Sequence, residues 1–556
     1  PALAKVAAIN DRKQVQHVMY ELAAKGYGTM PFWFGMGQDA INSDNYLFGV
    51  SQSGIGLDPE YYTHPNPQQQ AVVAAYKSLM KDYFKMVGNS DALAEQKMQA
   101  AFAIENQIAQ KSYDQVKSRD PKANIHKISW ADLLRDYPGI DWMEAHRQYG
   151  YPTDIDTVDV GQPEPIHEVE KILATANLFA LKAYMEASVI SSSASLLSDD
   201  FGNRRFEYVK AVYGIKEQQP RWKRGISFIQ GLMGESIGKL YVAKYFPESS
   251  KKRVVDMVHN LQDAFAQRIE ENTWMTPATK AKAIEKLRSM RINIGYPDKW
   301  QNMEEYVQID EGKSLRANYD EIIPALRRRN LEKKWGKKVD KTVFACNPQV
   351  VNAFYAPSYN SINFPAAILQ APFFDPNADD AANYGAIGTV IGHEMSHGFD
   401  DQGCQFDKDG NLNNWWTAED KTNYDQRTKV LADWFSTQEV QPGLKVDGKK
   451  TLGENIGDNG GINVAYRALQ NAVKLQPLGD KDGFSPSQRF FLSYGRIWAS
   501  NVAPQFVAYL VNSDVHSPNQ LRVNAALPHI DAWYTAFGVK PGDKLYLALD
   551  KRAHIW

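Results

Sequence analysis

Two cysteines, Cys346 and Cys404, are the whole thiol content of 556 residues. One bridge between them is possible, but a disulfide framework is excluded, and two buried or half-buried free thiols are the simpler expectation. A long apolar run is missing too. Nothing in the chain approaches the roughly 20 residues that a membrane-spanning helix needs. An excess of one charge is also absent: 63 Lys and Arg stand against 65 Asp and Glu, a formal net charge of −2. Neither nucleic acid nor an anionic membrane is therefore favoured as a partner. No secretory signal is visible, and the chain starts at Pro1 rather than Met, which suggests processing or trimming. No short-period repeat suggests a solenoid.

What is present is ordinary in bulk. Hydrophobic residues make up 43% and charged residues 23% of the chain, as in soluble globular proteins. The length calls for two or three domains. Apolar residues recur at helical spacing over 68–87, 91–117, 167–189, 222–246, 251–271 and 277–290. Asn66-Pro67, Ser90-Asp91 and Thr276-Pro277 are ready-made helix starts. The basic stretch RRRNLEKKWGKK, 327–338, has no companion basic motif and reads as a solvated helix face or connector. After about 340 the texture changes. Thr342-Val343-Phe344, Val350-Val351 and Ser361-Ile362-Asn363-Phe364 are short β-prone pieces, followed by a helix from about Ala381 to Phe399. The sequence thus divides into a mainly helical part, 1–340, and a second domain, 341–556.

The second part carries the chemistry. IGHEMSHGFDD, 391–401, places His393 and His397 four residues apart. On a helix that spacing is a rise of about 6 Å and nearly a full turn, so both rings leave one face and can share one metal ion. Glu394 follows the first histidine, where it can take a proton from water at the metal. Chance alone yields such a motif in roughly one per hundred chains of this kind, so context has to decide. His167-Glu168 begins the same way and lacks the second histidine. Context is supplied by TLGENIGDNGGINVAYRAL, 451–469. Glu454 completes a His/His/Glu set with one open position, an arrangement suited to hydrolysis. Asp458 and Asp400 are natural acceptors for the second N–H of each histidine.

These residues resemble the neprilysin and endothelin-converting-enzyme family of zinc metallopeptidases. The likeness extends through VNAFYAPSYNSINFPAAILQAPFF (351–374), NYGAIGTVIGHEMSHGFDDQG (383–403), LGENIGDNGG (452–461), DVHSPNQLRVNAAL (514–527), two upstream segments (272–287 and 292–300) and the terminal Trp556. The resemblance implies a mainly α, two-lobed fold: a thermolysin-like zinc catalytic domain plus a large helical domain that together enclose a substrate chamber. It implies one Zn2+ per chain, held by His393, His397 and Glu454. Glu394 becomes the general base. Asp400 and Asp458 orient the histidines, and Asp458 counts with Glu394 and His516 among the residues serving catalysis. Asn352 and Ala353 would pair with the substrate backbone as an added strand. His516 would stabilise the oxyanion and Arg522 a substrate carbonyl. By spacing alone, those last two are only a His and an Arg in a polar loop. The expected activity is endopeptidic hydrolysis of oligopeptides; a catalytically silent peptide-binding protein of the same fold is the alternative. Ala553-His554-Ile555-Trp556 stands where secreted animal members carry a Cys, so a bacterial-type member is expected. Its expected place is outside the cytoplasm, with the cytoplasm left open. Against the family the chain starts late, which leaves room for a separate N-terminal fragment as partner.

Overall fold

The computed structural model describes all residues, Pro1–Trp556. Helices predominate, and the chain forms two compact units, each assembled from separate stretches. One comprises Pro1–Asp39, Asp44–Ile226 and Met303–Val339; the other comprises Ala40–Ser43, Ser227–Asn302 and Asp340–Trp556. The last crossing falls where the sequence texture changes, but the division is not a single cut. Residues 227–302 join the second unit because their apolar faces feed its core. Met257, Leu261 and Phe265 on Glu248–Glu271, and Leu287 on Pro277–Ser289, are buried in one cluster with Ile391, Met395 and Phe399.

The first unit packs helices against a four-stranded sheet ordered Phe32–Gln38, Tyr46–Gln52, Thr157–Val160, Lys127–Ser129. The first two strands are antiparallel, with Trp33 opposite Ser51. Phe32, Phe34, Phe48, Val158 and Val160 share a core with Trp142. The helix starts follow local chemistry. Asn66 and Gln69 form a reciprocal capping box with Pro67 in the first turn, and the Ser90 side chain accepts from Leu93 N–H. The stretch 167–189 is two helices, not one. Ala176 turns extended after Pro163–Thr175, and Asn177 caps Leu178–Ser193 by accepting from Ala180 N–H. Two charges of the basic stretch have partners within its own unit. Arg327 lies over the Tyr149 ring and Lys334 donates to Met36 O.

The second unit holds a three-stranded sheet. Ser361–Pro365 is central, parallel to Arg291–Gly295 and antiparallel to the edge strand Phe354–Ala356. All five residues of the central strand are buried. Thr342-Val343-Phe344 and Val350-Val351 form no strand; they run through turns and irregular chain without a ladder partner. The helix expected over 381–399 has three parts: Asp380–Asn383, a π turn Tyr384–Gly388, and Thr389–His397. It packs backbone to backbone against Leu452–Leu475. A Cβ on Gly392 would stand 2.9 Å from Gly461 O, and one on Gly457 would stand 2.7 Å from the His393 ring. Only glycine lets these helices come that close, and the closeness brings Glu454 beside the histidines.

Candidate metal centre

His393 and His397 project from one face of their helix with Nε2 atoms 2.9 Å apart and ring planes at 89°. Glu454 Oε2 lies 3.3 Å from His393 Nε2 and 3.6 Å from His397 Nε2. The donor atoms of the three residues all fall within 4.8 Å of one another.

Carboxylates behind the rings fix the tautomers. His393 Nδ1 is 2.9 Å from Asp458 Oδ1, and His397 Nδ1 is 2.7 Å from Asp400 Oδ2. An ionised carboxylate only accepts, so each Nδ1 carries a proton, and in the neutral ring each Nε2 presents a lone pair. Two lone pairs then face each other beside Glu454 Oε2, a buried oxygen with no hydrogen-bond partner. Without a cation between them, a metal ion or a proton, these three atoms repel. Two imidazole nitrogens and one carboxylate oxygen form a donor set that fits zinc with a position left open.

The supports are themselves anchored. Asp458 receives Arg522 Nε at 2.8 Å and a terminal Arg522 nitrogen at 2.6 Å. The guanidinium stacks 3.8 Å from the Trp498 ring centre, and Tyr494 Oη donates to Arg522 O at 2.7 Å. Burial opposes ionisation of Asp458, but Arg522 and His393 outweigh it and hold the pKa below the usual range. Asp400 Oδ1 accepts the N–H groups of Gln402 and Gly403 at 2.8 and 2.6 Å. Glu394 is buried beside the histidines, and its burial raises its pKa against their opposing pull. A carboxylate with a raised pKa is a stronger base than an ordinary one, so it takes a proton from water more readily.

His516 also reaches the centre. Its Nε2 is 3.1 Å from Glu454 Oε2, outside hydrogen-bond geometry, and its Nδ1 is 2.9 Å from Asp514 Oδ1. Partial desolvation pulls its pKa down, but Asp514 and Glu454 push it up to about 9. Asn352 and Ala353 lead into the edge strand Phe354–Ala356, which packs against the metal helix. Sequence reading missed Asp514, Trp498 and Tyr494. The DVH spacing could have pointed to Asp514; the two aromatics look like core residues until their contacts with Arg522 are seen.

His167 stays apart, stacked on Tyr137 at 4.3 Å, with Glu168 paired to Lys171. Cys346 and Cys404 are both free, and burial raises both thiols, that of Cys404 to about 12. Neither is an activated thiolate.

Residues 1–297 match one model of peptidase family M13 and residues 352–553 match a second model of the same family. The chain belongs to peptidase family M13. Among M13 relatives, the neutral endopeptidase of Lactobacillus helveticus is 33% identical over 528 residues, 95% of this chain and 79% of that protein. Human endothelin-converting enzyme 1 is 31% identical over 541 residues, 93% of this chain and 69% of that protein. The crystal structure of Mycobacterium tuberculosis zinc metalloprotease Zmp1 with an inhibitor superposes with a TM-score of 0.95 at 35% identity, over 100% of this chain and 85% of that one. This M13 chain is thus a zinc metalloendopeptidase of the bacterial type, acting on peptides. No helix in it is long and apolar enough to cross a membrane.

Proposed function

We propose that the chain hydrolyses oligopeptides with Glu394 as general base, at a zinc ion held by His393, His397 and Glu454. Zinc bound there would supply Lewis-acid chemistry, polarising a carbonyl and acidifying water. Glu394 takes a proton from the attacking water and returns it to the leaving amine. Its burial and raised pKa support the first half of that shuttle, the uptake of the proton. Asp458 and Asp400 hold His393 and His397 in the ligating tautomer. His516, oriented by Asp514, presents a donor where negative charge develops on the carbonyl oxygen. Arg522 gives two of its nitrogens to Asp458 and keeps the third for a substrate carbonyl. Asn352 and Ala353 extend the exposed edge of the sheet, where a peptide backbone can add as a strand.

The observation that carries this reading is the orphaned Glu454 Oε2 facing two histidine Nε2 atoms. The test is cleavage of a mixed peptide library, followed by mass spectrometry, for the wild type and Glu394→Gln. The variant should keep its zinc and cleave about 10²–10⁴-fold more slowly. Equal cleavage by both would remove Glu394 from the mechanism. Binding without cleavage by the zinc-loaded wild type would favour a silent peptide-binding protein.

A further inference from the structure

The turn that follows the metal helix is gripped by a buried lysine that the hydrolysis does not use. Lys286, on Pro277–Ser289, is 1% exposed. Its Nζ donates to three backbone carbonyls: Gly398 O at 2.6 Å, Gly403 O at 2.7 Å and Phe406 O at 2.7 Å. Three carbonyl acceptors need three N–H donors, and only the ammonium form has three. Burial pushes the Lys286 pKa down to about 7. The charge is held by the three oxygens and by the faces of Phe399, Trp415 and Tyr355, whose ring centres lie 5.6, 5.8 and 5.9 Å from Nζ.

The three carbonyls bracket Asp400. Inside the bracket, Asp400 Oδ1 accepts from Gln402 and Gly403 N–H, and its main-chain oxygen accepts from Cys404 N–H at 3.1 Å. That leaves Oδ2 aimed at His397 Nδ1. Asn360 ties the main chain of Lys286 to the segment just past this turn, donating to Lys286 O and Lys408 O. Burying a lone cation is costly, and an apolar side chain of similar length would fill the space without that cost. What the cation adds is convergence: it draws three separate points of one turn to a single atom.

We propose that Lys286 is a positioning residue for the zinc site: by gathering the carbonyls of Gly398, Gly403 and Phe406 it fixes the turn that aims Asp400 at His397. The proposal rests on His397 being a ligand, as read above. Its test compares the full-length wild type with Lys286→Met, Asp400→Asn and the double variant. The readouts are zinc affinity by chelator competition, the absorption spectrum of the cobalt-substituted protein, and melting temperature. Lys286→Met should bind zinc about 10-fold or more weakly and show an altered cobalt spectrum. The double variant should bind no more weakly than Asp400→Asn alone, because both changes act through His397. A folded Lys286→Met with wild-type zinc affinity and cobalt spectrum overturns the proposal, whatever its melting temperature; so do additive losses. If Lys286→Met does not fold, Lys286→Gln, which keeps two donor hydrogens, carries the same comparison. His397→Ala separates the two layers. Unchanged zinc affinity in that variant removes the ligand assignment itself. Weakened affinity there, with none lost in Lys286→Met, removes only the role of the lysine.

Discussion

Each unit buries a carboxylate, and the two have opposite fates. In the first unit Glu105 accepts from the hydroxyls of Tyr62 at 2.5 Å and Tyr76 at 2.8 Å. Those partners are neutral, so burial prevails and the pKa rises to about 7. In the second unit Asp458 is as deeply buried, but Arg522 and His393 keep it ionised. At similar depth, the charge of the partners separates these two acids. The metal centre needs a charged acceptor behind each histidine, and this chain supplies a cation to sustain one. The tyrosine-bound carboxyl has no such support, and it fits a structural role.

The largest effect should come from removing that cation. Arg522→Met leaves Asp458 uncompensated and should cost about 3–5 kcal/mol in denaturant unfolding, with weaker zinc binding. A loss under about 1 kcal/mol would mean that Asp458, like Glu105, does without a cationic partner. Next is the pH response of Glu105. The folded protein holds this proton more tightly than the unfolded chain does. Stability therefore falls as pH rises from about 4.5, where the unfolded carboxyl ionises, to about 7, where the folded one does. Glu105→Gln should gain up to about 3 kcal/mol relative to wild type across that window. Parallel melting curves against pH for the two proteins would contradict this. Asp400→Asn should leave the fold intact and weaken zinc 10–100-fold, about 1.4–2.7 kcal/mol, in chelator competition. Smallest is Tyr76→Phe, at about 1 kcal/mol. It should also move the Glu105 transition to higher pH, because one hydrogen bond to the ionised form is lost.

The sequence reading reached the metal set because its spacing is local. His393 and His397 share a helix face, and Glu454 and Asp458 share another. It reached the oligopeptidase resemblance through ordered motifs along the chain. What it did not reach was set by contacts between distant segments. Residues 227–302 look like the helices before them; only their packing against Met395 and Phe399 assigns them to the catalytic unit. The break at Ala176 hides inside an apolar pattern that runs on through it. Lys286 stands on the face of its helix shared with Ala283 and Leu287, where an apolar residue is expected. Its reason lies more than a hundred residues away, at Gly398, Gly403 and Phe406.

The proposed chemistry depends on one zinc ion held by His393, His397 and Glu454. Metal analysis of the purified wild type and Glu454→Ala, after equilibration with zinc and removal of the excess, tests it most directly. The wild type should retain one zinc per chain, and the variant should lose most of it under the same wash. A zinc-free wild type, or a variant that holds zinc as tightly as the wild type, would contradict the account.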